Sequence, residues 1–237
     1  MSEVPRTVGA VERGAGYPVP TVTPSDDSTQ LMDQVLARLA EDGFPPDVRR
    51  GAHRKAPAPL GAKVLASLAL SDGAPLPTSL ARLFAYDFGW LGLKLAKQKV
   101  RLESLTFEQL LALEHEGLAE FILEGTAEIL KGACYPLVLP ERCNEQSLIF
   151  AYQAPGAGQA SADGTRGELP VLVIDIQDSP ILMAFAPSIA EYLALITDVI
   201  DASALEKKNR AALGEVLGKK LAKQIHQGVF DLPFAAG

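Results

Sequence analysis

The clearest pattern of apolar and polar positions lies between residues 170 and 200. Residues 171–176 are almost wholly apolar and rich in β-branched side chains, residues 177–180 (QDSP) are turn formers, and residues 181–185 are apolar again. Two apolar runs on either side of turn residues predict a β-hairpin. A helix is predicted to follow, because Ser188 and Glu191 have capping-box spacing and apolar residues then recur every three to four positions.

The strands of this hairpin are apolar on both faces. Positions 171 and 173 share one face and positions 172, 174 and 176 share the other, yet all five are apolar. A sheet with one solvated face would alternate apolar with polar residues, so both faces are predicted to be covered. The helix after Ser188 can cover one face. We expect the chain's own helices, within residues 27–70 or from Ser203 onward, to cover the other; the alternative is another protein.

Shorter patterns predict the remaining helices and strands. Capping-box spacing marks three helices, which begin at Asp27, Thr106 and Ser203 and end before Gly43, near Glu124 and near Gln227. Apolar periodicity predicts a further helix over residues 60–70 and a short one from residue 77 to about residue 89. Two more strands are predicted, over residues 137–139 and 147–152.

These elements define a predicted fold class and its limits. We predict an α+β protein whose mixed, largely antiparallel β-sheet is covered by helices. Residues 1–26 contain four prolines and three glycines without sustained periodicity, which predicts a disordered arm that the fold does not need. Residues 27–201 are predicted to form a single α+β domain, and residues 202–237 a C-terminal helix and tail.

Charge narrows the range of partners. The 237 residues carry a net charge of −7 and 48% of them are hydrophobic, which is typical of an acidic globular protein and argues against a general nucleic-acid binder. Residues 205–226 hold six Lys or Arg against two Glu, a net charge of +4, which leaves −11 for the rest of the chain. This basic segment either docks on the acidic body or contacts a partner. The acidic body suits a basic protein partner.

The sequence also bears on location. The first 20 residues lack the apolar core of a secretory signal. The apolar run over residues 181–200 is interrupted by Pro187, Glu191 and Asp198. We therefore expect a cytoplasmic protein that does not cross a membrane.

Motifs for metal binding or catalysis are weak. Cys134 and Cys143 lie nine positions apart outside any CxxC pattern, which favours buried free thiols. The glycine-rich segment over residues 154–168 lacks the Lys-Ser/Thr pair of a phosphate loop. The histidines have no catalytic spacing; they are His53, His115 and His226. We predict no metal, no cofactor and no catalytic residue. The alternative is an enzyme site assembled from distant residues: His115, Glu141, Asp175 and Asp178.

A family resemblance spans about half the chain, from Leu76 to Asp198. It consists of the leucine-proline start of a short helix (LPTSLARLFAYDFGW), strands in the middle, and the segment APSIAEYLALI after the last strand. In these features the chain resembles the SUKH superfamily. The resemblance implies a SUKH-like core at about residues 76–200, with extra N-terminal helices, a C-terminal helix and no catalytic residues.

The resemblance also implies a function. Many bacterial members of this superfamily look like immunity proteins, so we expect a non-catalytic protein that neutralises a cognate bacterial toxin, such as a nuclease or another secreted effector, by occluding its active site. An acidic protein fits this role because complementary charge speeds the encounter with a basic enzyme. Two alternatives stay open: a secretion-system adaptor or chaperone that binds an effector, and a small hydrolase with a carboxylate-based site.

The partner-binding residues are predicted to be acidic and to lie in loops beside the strands. Side chains in such loops are free to point outward, toward a basic partner. The predicted residues are Glu141, Glu145, Asp163, Glu168 and Asp178.

Overall fold

A computed structural model of the chain describes residues 27–43, 57–98, 100–113, 130–138, 147–156, 167–175, 181–203 and 205. The helices in these ranges are α1 (Asp27–Asp42), α2 (Ala62–Ser67), α3 (Thr78–Tyr86), α4 (Phe107–Ala112) and α5 (Ile189–Ile196). The strands are β1 (Ala133–Pro136), β2 (Ser147–Gln153), β3 (Val171–Asp175) and β4 (Ile181–Ala186). The chain is an α+β protein, as its pattern predicts.

The four strands form one sheet in the order β1-β2-β3-β4. Each strand runs antiparallel to the next, so that Ser147 of β2 and Ile181 of β4 both pair with Asp175 of β3. The predicted pairing of the two hairpin strands is confirmed. Parallel pairing in the described ranges is limited to an isolated bridge between Ala69 and Arg101, outside the strands.

Both faces of β3 are buried, as its apolar pattern predicts. Val171 and Val173 belong to one buried cluster, whereas Leu172 and Ile174 belong to a second. All four side chains are at most 2% exposed. Removing apolar surface from water is the dominant favourable contribution to folding. The burial of β3 on both faces therefore joins the helices on one side of the sheet to the helix on the other side.

The two layers are built from different helices. Helices α1, α3 and α5 pack against one another and contribute to the cluster of Val171 and Val173. The opposite cluster contains Phe107, Leu110 and Leu111 of α4. The chain's own helices therefore cover both faces, as expected. The expected source of the second layer was wrong in the described ranges, because α4 supplies it rather than residues 27–70 or the helix from Ser203.

Capping chemistry explains where these helices begin and end. The Thr106 hydroxyl accepts the N–H of Gln109 at 3.2 Å, and the Gln109 side chain accepts the N–H of Thr106 at 2.9 Å, so the predicted capping box is present. Gly43 follows α1 with a φ of 70° and donates its N–H to the Leu39 carbonyl oxygen at 2.9 Å. Glycine adopts this left-handed conformation without steric cost.

Two predicted elements lie elsewhere. The helix predicted over residues 60–70 is confined to α2, because Ala69 bridges to Pro75 and to Arg101 and the chain around it is extended. The strand predicted over residues 137–139 is β1 instead, where Cys134 exchanges both backbone hydrogen bonds with Leu105 at 2.8 and 2.9 Å. In both places pairing with a distant segment decided the local structure.

The last predicted helix begins with a different cap. Ser203 was expected to be the capping residue, but it is already helical, and the carboxylate of Asp201 accepts its N–H at 2.8 Å. Leu205 is fully buried in the cluster that contains Val171. The first turn of this helix therefore docks on its own chain. The rest of it, the predicted arm and the continuation of α4 toward Glu124 lie outside the described residues.

Candidate functional site

The predicted partner-binding residues lie in the chain segments that join neighbouring strands. In this strand order the β1–β2 and β3–β4 connections lie at one end and the β2–β3 connection lies at the other. Glu141, Glu145 and Asp178 belong to the first two connections, whereas Asp163 and Glu168 belong to the third. Only Glu168 is among the described residues.

Glu168 points into the protein. Ser79 of α3 is fully buried, and its Oγ lies 2.9 Å from Oε1 and 2.7 Å from Oε2 of Glu168. The expectation that this side chain points outward was wrong. Leu169 and Pro170 are both buried before β3 begins, and they hold the preceding residue against α3, where Ser79 contacts its carboxyl.

A second carboxyl, that of Glu191, acts on the same site. Glu191 lies in the first turn of α5 and is only 7% exposed. Ser188 caps this helix as predicted: its Oγ accepts the N–H of Glu191 at 3.1 Å and its hydroxyl donates to Oε2 of Glu191 at 2.6 Å. We call Ser79, Glu168, Ser188 and Glu191 the carboxyl cluster.

Burial raises the pKa of Glu168 from 4.5 to about 7. The hydrogen bond from Ser79 opposes this rise, and the negative charge of Glu191 adds to it. A carboxyl with this pKa takes up and releases a proton near neutral pH, unlike an ordinary glutamate. The sequence holds one signal for this contact: Ser79 lies one turn before Leu83, on the face of α3 that is buried.

A cavity of about 360 Å³ lies at the C-terminal end of α5. It is lined by Leu195, Ile196, Asp198, Val199, Ile200, Asp201 and Ala202. The hydrogen bond from the Ser203 N–H lowers the pKa of Asp201, whose carboxylate serves as the helix cap. Glu168 and Glu191 do not line this cavity.

A second buried polar group lies at the edge of the sheet. The Tyr135 hydroxyl donates to Oε1 of Gln153 at 2.6 Å and accepts the N–H of Ser71 at 3.0 Å. Nε2 of Gln153 is buried and has no hydrogen-bond partner in the part of the chain that the structure describes. Burial raises the pKa of Tyr135. This group ties the turn after Leu70 to β1 and β2, which is a structural role.

The cysteine prediction is confirmed for Cys134, which is a buried free thiol. Burial raises its pKa to about 12, so the thiolate that reacts with metals or electrophiles is scarce at neutral pH. Cys143 lies outside the described residues.

The remaining predicted chemistry falls mostly outside the described ranges. Asp175 ends β3, while the other three residues of the alternative enzyme site lie beyond them: His115, Glu141 and Asp178. Within the ranges, no three His, Cys, Asp or Glu side chains are grouped as metal ligands. No described helix has both the length and the apolarity to cross a membrane. No protein-family model, curated protein or solved structure matches the chain.

Proposed function

We propose that this protein is a non-catalytic inhibitor of the immunity type, which binds a basic bacterial toxin and occludes its active site. The charge of the segments that join neighbouring strands carries the proposal. The segments from β1 to β2 and from β3 to β4, with Asp175 at the end of β3, hold four carboxylates against one arginine: Glu141, Glu145, Asp175 and Asp178 against Arg142. The segment from β2 to β3 has Asp163 and Glu168 against Arg166, and Glu168 is turned inward. In an antiparallel strand order the first two segments leave the sheet at the same end, which we call the acidic end.

Such an acidic end suits a basic enzyme. A toxin that cleaves nucleic acid holds phosphates with Lys and Arg side chains, and a cluster of carboxylates presents the same sign of charge as that substrate. Complementary charge raises the rate of encounter and selects against partners of the wrong sign. Occlusion of the toxin's active site then needs no chemistry from the inhibitor.

The arrangement of the buried polar groups favours binding over catalysis. In the described ranges, Glu168 is engaged with Ser79, Glu191 with Ser188, and Tyr135 with Gln153. Each of these contacts joins two parts of the fold or caps a helix. The segment that resembles the SUKH superfamily, APSIAEYLALI, spans the end of β4 and the whole of α5, and the resemblance supports an immunity role.

Co-expression separates this proposal from its alternatives. The full chain is expressed with the product of the adjacent reading frame, and growth, complex stoichiometry and the activity of that product are measured. We expect rescue of growth, a 1:1 complex and complete inhibition at one equivalent. Binding that leaves the toxic activity intact would indicate an adaptor or chaperone, and protection at far below one equivalent would indicate a hydrolase; either result would reject the proposal.

Charge reversal tests the acidic end itself. We expect the triple variant Glu141→Lys, Glu145→Lys, Asp178→Lys to lower the association rate at least tenfold at low salt, and the difference from the unmodified chain to shrink above 0.5 M salt because ions screen surface charge. The matched single-site pair is Asp178→Lys and Asp163→Lys, of which the first should slow association and the second should change the rate less than about twofold. Equal effects of the two variants would remove the acidic end from the interface.

A further inference from the structure

The contact between Ser79 and Glu168 gives the two carboxyl oxygens a single hydroxyl as their partner in the described residues. Both carboxyl oxygens lie within 2.9 Å of a single hydroxyl oxygen. An ionised carboxylate only accepts hydrogen bonds, and the Ser79 hydroxyl has one proton to share between the two oxygens. A protonated carboxyl satisfies both contacts, because its own O–H donates to Ser79 Oγ while the Ser79 O–H donates to the carbonyl oxygen.

The surroundings of Glu168 also oppose a second negative charge. Helix α5 contributes Glu191, which is its only charged residue and is held by Ser188. Helix α3 contributes the uncharged Ser79; its only charged residue, Arg82, is exposed and lies 2.7 Å from Asp33 of α1. Burial and the charge of Glu191 both raise the pKa of Glu168. The neutral form of the Glu168 carboxyl is therefore favoured in these surroundings.

The site joins three elements that are distant in sequence. Glu168 precedes β3, Ser79 lies in α3, and Ser188 and Glu191 begin α5. The segment that carries Glu168 also joins β2, because the Tyr152 N–H donates to the Pro170 carbonyl oxygen at 2.9 Å. The strength of the Glu168 contact therefore bears directly on how firmly residues 167–170 are held.

We propose that Glu168 is a proton-controlled latch, which fastens residues 167–170 to α3 while its carboxyl is neutral and loosens them when it ionises. The proton moves between the Glu168 carboxyl and water, and no other bond changes. The latch does not depend on toxin binding and operates in the isolated protein.

The direction of the pH effect follows from linkage. The folded protein holds the Glu168 proton more tightly than the unfolded chain, because the pKa is about 7 in one and near 4.5 in the other. Stability from this site is therefore complete below pH 4.5 and is lost as pH rises through 7, with little change beyond. The latch is fastened at pH 5 and loosened at pH 8, and the opening equilibrium should shift on the order of 100-fold between them.

Two measurements on the full chain test the latch. Carboxyl ¹³C NMR should give a titration midpoint for Glu168 near pH 7, and Glu191→Gln should lower that midpoint because it removes the neighbouring charge and retains an acceptor for Ser188. Amide hydrogen exchange, corrected for the intrinsic effect of pH, should show Tyr152 opening on the order of 100-fold more at pH 8 than at pH 5. The reference amide is that of Cys134, which donates to the Leu105 carbonyl oxygen on the other side of β1 and should not change.

Glu168→Gln should abolish the pH dependence at Tyr152, since glutamine keeps the shape and the hydrogen bond without titrating. Glu108→Gln, at an exposed position in the first turn of α4, is the matched control and should behave as the unmodified chain. A Glu168 midpoint below pH 5, a persistent pH dependence in Glu168→Gln, or equal opening at Tyr152 and Cys134 would each overturn the latch. If Glu168→Gln does not fold, the titration midpoints with and without Glu191→Gln decide the question alone.

Discussion

An aspartate on either face of β3 is the most direct test of the two-sided core. Val173 is 2% exposed on the α1, α3 and α5 side, and Ile174 is 1% exposed on the α4 side. Replacing either one forfeits about 1.5–3 kcal/mol of apolar burial. The new carboxyl must also ionise in an apolar site or hold its proton with a pKa raised by about 3 units, which costs about 4 kcal/mol at neutral pH.

The combined loss is about 5–7 kcal/mol, against a total stability of about 5–15 kcal/mol for most domains. We therefore expect Val173→Asp and Ile174→Asp each to unfold the protein or to lower its Tm steeply at pH 7, and to recover partly at pH 4, where the new carboxyl is neutral. Urea unfolding followed by circular dichroism measures the effect. Val173→Ala and Ile174→Ala, each expected to cost about 2–4 kcal/mol, keep the measurement possible if the aspartate variants do not fold.

Leu113→Asp is the matched control. Leu113 follows α4 and is 63% exposed, so the same chemical change there should stay within about 0.5 kcal/mol. An unchanged Tm of the free protein in Val173→Asp or Ile174→Asp would contradict the two-sided core. If the variant with the unchanged Tm also lost partner binding, its face of the sheet would be an interface and not a core.

Three further predictions concern single positions. Thr106→Ala removes the α4 cap and should lower the free energy of unfolding by about 0.5–2 kcal/mol; no loss in urea unfolding would contradict the capping box. Gly132→Ala should cost about 1–3 kcal/mol, because its new methyl group would overlap the carbonyl oxygen of Gln153 and lie 2.8 Å from the Tyr152 ring, whereas Gly61→Ala has nothing within 4 Å and should be near neutral. Cys134 should react with a thiol reagent only at the rate of unfolding, and rapid labelling of the native thiol would show that it is not buried.

The central part of the fold was predictable because its pattern is local. The apolar runs that became β3 and β4 are separated by turn residues, and Ser188 and Glu191 are three positions apart, so short-range chemistry determines both the strand pair and α5. The burial of both strand faces followed from the lack of polar alternation at residues 171–174. Such signals need no knowledge of distant contacts.

Other features depend on contacts that no local pattern contains. Helices α1 and α4 each have an apolar face that needs burial, and α1 is buried in one cluster and α4 in the other. Apolar periodicity alone does not determine which helix lies on which side of the sheet. Glu168 reads as a loop residue, and its inward direction depends on Ser79, which is 89 positions away. Charged residues are buried only when something pairs with them, and the sequence does not name the partner.

The two-sided core also constrains where a partner can bind. Because α4 covers one face of β3 and α1, α3 and α5 cover the other, a toxin that met the sheet would reach its ends before its faces.

Two kinds of variant should therefore behave differently. Val173→Ala should reduce binding only in proportion to the folded fraction, with an unchanged association rate per folded molecule, since it alters stability and not the surface. Reversal of Glu141, Glu145 and Asp178 should lower the association rate while the Tm stays within a few degrees, because surface substitutions rarely cost more than about 0.5 kcal/mol each. Stopped-flow association beside thermal unfolding measures both quantities on the same samples. If Val173→Ala slowed association per folded molecule as much as the charge reversal does, the sheet face and not the acidic end would be the binding surface.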